Sequence, residues 1–109
     1  MEERVYISTD KGKDYYGTRK DVLKELGRLR KRRENFLTLT RDLKRGSVQI
    51  FWLPDENRYH IENTLSKEKT YSACIDSHES MENFVHAFMD LRGWRSMLNW
   101  EKMNFEPEI

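Results

Sequence analysis

Residues 76–94 read DSHESMENFVHAFMDLRGW, and the identity of this stretch decides the fold. Met81, Phe84, Val85 and Phe88 recur at i, i+3, i+4 and i+7, the spacing of one helical face. Asp76 or Ser77 can cap its start, and Glu79 places a carboxylate in the first turn, where the helix dipole favours it. Gly93 suits the residue just past its end. A helix with one apolar face must cover something apolar, and the four runs before it supply that surface.

Working back, residues 36–43 place Leu37, Leu39 and Leu43 on one parity and Thr38 and Thr40 on the other. Residues 48–53 are almost continuously apolar, as a central strand would be. Residues 58–65 set Tyr59, Ile61 and Leu65 against Arg58, His60, Glu62 and Thr64. Residues 70–75 carry Tyr71, Ala73 and Ile75 on one parity. Short polar turns at 44–47, 54–57 and 66–69 join these runs, which predicts a four-stranded antiparallel meander.

Upstream, Thr18 and Asp21 stand at capping-box spacing, with Asp in the Glu position. Val22, Leu26 and Leu29 follow as a narrow apolar stripe with Leu23 beside it. The rest of this predicted helix is crowded with Arg19, Lys20, Lys24, Arg28, Arg30, Lys31, Arg32 and Arg33. Gly27 weakens it slightly, since glycine costs about 1 kcal/mol in a helix interior. Before it, Val5-Tyr6-Ile7 reads as a β run with Tyr15-Tyr16 as a return partner; the sheet proper is counted from the four runs after the helix. Residues 94–103 carry Met97, Leu98 and Trp100 and suggest one more short helix. The expected fold is α+β in two layers: a four-stranded antiparallel meander sheet, an N-terminal basic helix, a C-terminal capping helix and a short terminal helix.

The length of 109 residues predicts a single domain, 1–109, and thirteen aromatics argue for a packed core. A lone cysteine, Cys74, cannot form an internal disulfide, which favours a reduced setting. No apolar run approaches the length of a membrane span, and MEERVYIS lacks the pattern of a signal peptide. No glycine-rich phosphate loop, nucleophile elbow or zinc spacing is present, so neither an enzymatic activity nor a cofactor is expected. In a strand, a cysteine such as Cys74 usually serves as inert packing. His78, Glu82, His86 and Asp90 recur every fourth residue, but the two histidines stand about 12 Å apart along a helix, too far to share one metal ion. A solvated flank is the expectation there.

Charge carries the functional reading. Residues 1–54 hold 14 Lys/Arg against 8 Asp/Glu, for +6; residues 55–109 hold 6 against 11, for −5. Arg28, Arg30, Lys31, Arg32 and Arg33, with Arg41, Lys44 and Arg45 at the next hairpin, form a candidate basic patch for phosphates. Phe51 and Trp52 could stack bases beside it if exposed. The plainer reading is a solvated helix face that counters the acidic half. The acids Asp55, Glu56, Glu62, Glu68, Asp76, Glu79, Glu82 and Asp90 are spread over turns and the closing helix, which usually serves solubility; gathered on one rim, they could imitate a phosphate backbone on a partner. Trp94 and Trp100 suit either an interface or a satellite core.

One resemblance falls on this same region. The turn Asp55-Glu56-Asn57-Arg58-Tyr59, the strand with Ile61, and Glu79-Ser80-Met81-Glu82-Asn83-Phe84-Val85-His86-Ala87-Phe88 closed by Gly93-Trp94 resemble part of a small anti-CRISPR family. It is the listerial prophage kind that inhibits type II Cas9. The resemblance covers about 40 residues, mostly core pattern. It implies a phage-type inhibitor acting in the cytoplasm of a bacterial host, with Asp55, Glu56 and Asn57 standing in for DNA phosphates. Departures are the absence of glycine from the turn, Arg58 where the family is acidic, an extra strand before the helix, and the strongly basic first helix. That helix would suit a contact with guide RNA better. A direct RNA- or DNA-binding module and a toxin-immunity protein are the alternatives.

Overall fold

A computed structural model of the chain describes residues 4–12, 14–32, 35–41, 46–66 and 69–103. The elements in order are β1 (Val5–Thr9), β2 (Asp14–Gly17), α1 (Arg19–Arg30), β3 (Leu37–Thr40), β4 (Ser47–Leu53), β5 (Arg58–Ser66), β6 (Lys69–Ile75), α2 (His78–Asp90), a 3-10 turn (Trp94–Met97) and β7 (Glu101–Lys102). The α+β class and the two helices agree with the sequence reading. The sheet does not: among the described residues it has seven strands, not four, in the order β2-β1-β3-β4-β5-β6-β7, all antiparallel.

The three extra strands have different origins. β1 and β2 are the N-terminal hairpin, which joins the sheet because β1 pairs with β3 at Tyr6↔Thr40 through Thr9↔Leu37. That docking buries Val5 and Ile7 in the core. β7 pairs with β6 only at Tyr71↔Lys102 and Ser72↔Glu101, where a short terminal helix was expected. The helical part of that stretch shrinks to the 3-10 turn.

Both helices cover one face of the sheet. Val22, Leu26 and Leu29 of α1 and Met81, Phe84, Val85, Phe88 and Met89 of α2 pack on Ile7, Leu37, Leu39, Val48, Ile50, Tyr59 and Ile61 in one cluster. The period-2 patterns of β3, β4 and β5 thus point one set of side chains into a common core. The helices lie antiparallel: Arg19 in the first turn of α1 reaches His86 (Nη1 to Nδ1, 3.1 Å) and Asp90 in the last turns of α2. Trp94 extends this core under α2, edge-on to Phe88 at 5.2 Å and Phe84 at 5.9 Å.

The ends of α2 show the local chemistry. Ser77 accepts from the Ser80 N–H at 3.1 Å, as a cap should. The expected glycine stop at Gly93 is displaced: Leu91 takes the left-handed position, with φ of 55°. Its N–H bonds to the Phe88 carbonyl and that of Arg92 to Ala87, the pair of bonds that closes a Schellman turn. Gly93 instead precedes the 3-10 turn. No helix of the described residues is long and apolar enough to cross a membrane.

Candidate functional site

The register of the strands sorts the charged residues between two ends of the sheet. Leu53↔Arg58 places the 54–57 turn at one end, and Ser47↔Thr64 marks the other. α1 runs toward the first of these ends. Its last turn carries Arg28 and Arg30, followed by Lys31 and Arg32, and Arg32 turns left-handed with φ of 59° as its N–H bonds to the Leu29 carbonyl.

Arg30 links that terminus to the sheet. Its guanidinium lies 5.3 Å from the centre of the Trp52 ring, within cation–π range. Trp52 in turn packs on Tyr59 at 4.9 Å. Arg28 sits 3.8 Å from Glu25, a carboxylate buried in the helix–sheet contact. Lys31 and Arg32 are exposed. Two residues beyond Trp52 the chain enters the acidic turn, where Asp55, Glu56 and Asn57 are all exposed. Glu56 N–H bonds to the Leu53 carbonyl and Asn57 N–H to that of Pro54, with Asn57 left-handed at φ 52°. Arg58 Nη2 holds Glu56 at 2.5 Å. That bond, foremost, raises the affinity of the guanidinium for its proton.

The basic end of α1 and the acidic turn therefore share one rim. The basic patch expected from sequence does not assemble as a whole. Arg41 lies at the opposite end of the sheet, where it donates to the carbonyls of Arg4 (2.7 Å) and Met89 (3.2 Å). It ties β3 to α2 rather than extending the patch. Arg33, Lys44 and Arg45 lie outside the described residues.

The paired stacking platform also fails. Phe51 and Trp52 are neighbours in one strand, so they point to opposite faces. Phe51 meets Phe36 and His60 on the open face of the sheet, at 6.4 and 5.8 Å, while Trp52 lies on the helix side under Arg30. Sequence parity already separates them.

The His78–Asp90 edge is not a plain solvated flank. Tyr59 Oη and His78 Nδ1 are 2.8 Å apart, and His78 Nε2 stands 2.9 Å from Glu82. His86 and Asp90 hold Arg19. Among the described residues no three His, Cys, Asp or Glu side chains are placed to hold a metal ion. Cys74, read as packing, is exposed on the open face across from His60. It borders a cavity of about 530 Å³ with Arg58, His60, Ser72, Met97 and Glu101. Trp94 is buried within the main cluster, and Trp100, which packs against it, donates from Nε1 to the Arg95 carbonyl at 2.8 Å.

Trp52 as the seat of Arg30 was not legible in the sequence, because the contact joins residues 22 apart across two elements. Compared with known proteins, the chain matches no family model, no curated protein and no solved structure.

Proposed function

We propose that this chain is a non-enzymatic binding protein of phage or mobile-element type that inhibits a nucleic-acid-handling defence complex. A type II CRISPR Cas9–guide RNA complex is the first candidate. The observation that carries the reading is the shared rim: Arg30, Lys31 and Arg32 project at the same end of the sheet as Asp55, Glu56 and Asn57. A partner that handles nucleic acid offers both signs of charge, basic clefts and phosphates. A rim bearing both signs can match such a surface and fix its register. The resemblance of the turn and α2 to anti-CRISPR inhibitors points the same way.

The test is a DNA-cleavage assay with purified Cas9, adding the protein before or after guide loading. Inhibition in at least one order is expected. Lys31→Glu with Arg32→Glu, and separately Asp55→Lys with Glu56→Lys, should each weaken it at least tenfold, since like charges facing each other cost several kcal/mol. Both pairs are exposed, so melting temperatures should stay near that of the parent. No inhibition in either order, across several Cas9 orthologues, would refute the reading.

A further inference from the structure

We infer that the outward face of α1 seats the phosphate backbone of an RNA duplex. At about 100° per residue, Lys20, Lys24 and Lys31 fall within about 40° of one another, and Gly27 lies beside them. The buried residues Val22, Glu25, Leu26 and Leu29 occupy the opposite side. All three lysines are exposed. Along the axis they are spaced at about 6 and 10 Å, a straight row of cations about 16 Å long. The row stands apart from the Arg19–Asp90 pair, which faces α2.

Gly27 is the second observation, and it is independent of charge. It sits in the interior of α1, where glycine is costly. A side chain added there would meet nothing within 4 Å, so no intramolecular packing calls for its absence. Glycine in such a place leaves the helix backbone open to close approach by another molecule. Flanked by Lys24 and Lys31, the gap fits a phosphate and its sugar lying against the helix.

Cations on the outside of a helix that is packed on a sheet reach a backbone, not the base edges inside a groove. An A-form duplex is held in this way, since its major groove is too narrow for side chains to read. Taking RNA as the ligand rests on the reading that the chain acts on a guide-RNA complex. Lys31 also belongs to the rim proposed above, whereas Lys20, Lys24 and Gly27 lie outside it, so Lys20→Ala with Lys24→Ala, and Gly27→Glu, test this face apart from that rim.

The experiment is a fluorescence-anisotropy titration of the full chain with a labelled RNA duplex of arbitrary sequence, about 16 base pairs long, at several salt concentrations. Three phosphate contacts predict a log–log salt slope of about −2 to −3. Lys20→Ala, Lys24→Ala and Lys31→Ala together should lower affinity at least tenfold and flatten the slope; the same three changes to Arg should keep both. Gly27→Ala should raise the melting temperature, and Gly27→Glu should fold yet lose at least tenfold in affinity. Parental affinity in Gly27→Glu, an unchanged slope in the triple alanine variant, or equal binding of a DNA duplex would each overturn the proposal. The titration contains no Cas9, so its failure leaves the inhibition assay to decide the proposed function alone.

Discussion

Tyr59 is where the sheet, α1 and α2 meet. Its ring is fully buried under Trp52, and its hydroxyl lies 2.8 Å from His78 Nδ1. Burial pushes the phenol up to about 12 from 10.0. The folded state therefore keeps this proton where the unfolded chain has released it. The contribution is fully present below pH 10 and is lost as pH rises from 10 toward 12. Tyr59→Phe removes the hydrogen bond and should cost about 1 kcal/mol at neutral pH. It should also flatten the alkaline limb of a urea-midpoint-versus-pH curve; an unchanged limb would assign that limb to other tyrosines. Gly46 is a residue of another kind. Its φ is +75°, and a Cβ there would stand 2.0 Å from the Thr64 carbonyl oxygen. Gly46→Ala should therefore cost about 2 kcal/mol or more, and chemical denaturation measures it.

At the scale of elements, the two helices are fastened differently. α1 starts with the carboxylate of Asp21 accepting from the Thr18 N–H at 2.8 Å and from its hydroxyl at 3.1 Å. The backbone bond is the main reason that Asp21 holds its charge below the usual carboxylate range. Its folded pKa is depressed, so its contribution is present above 3.8 and lost as pH falls below that value. Asp21→Asn should lower stability by about 0.5–1 kcal/mol at pH 7, and by less in acid. Amide exchange in the first turn of α1 would locate the effect; protection that is equal in both proteins at pH 7 would contradict it. α2 instead depends on its end. Leu91 accepts a left-handed conformation, at a cost of about 1 kcal/mol, because the turn carries the chain into the 3-10 segment and brings Trp94 under Phe84 and Phe88.

For the whole molecule, one apolar cluster spans β1, β3, β4, β5, β6 and both helices. Trp94 lies within it, 2% exposed. Unfolding followed by tryptophan fluorescence and by far-UV circular dichroism should therefore coincide, as a two-state transition requires. Trp94→Ala should cost about 3–5 kcal/mol, shifting both signals together. Two separated transitions would mean that the terminal segment folds apart from the sheet. The charges also resolve at this scale. Among the described residues Arg19 pairs with Asp90, while Lys31, Arg32, Asp55 and Glu56 remain exposed on one rim.

The sequence by itself determined the elements whose side chains alternate between core and solvent. β3 to β6, α1 and α2 were legible because each buries a periodic set, such as Leu37 and Leu39 or Met81, Phe84, Val85 and Phe88. The 54–57 turn and the Ser77 cap were legible too, since both are local. β7 was not: Glu101 and Lys102 are both exposed, and backbone bonds that leave no side-chain pattern hold them. The place of β1 was not either, because its pairing with β3 spans the whole of α1. The basic patch drawn from the sequence was divided in the same way, for nearness along the chain said nothing of which end of the sheet Arg41 would reach. Only the tertiary structure placed Arg30 on Trp52 and the acidic turn on the same rim, because strand register, not composition, decides which turns share an end.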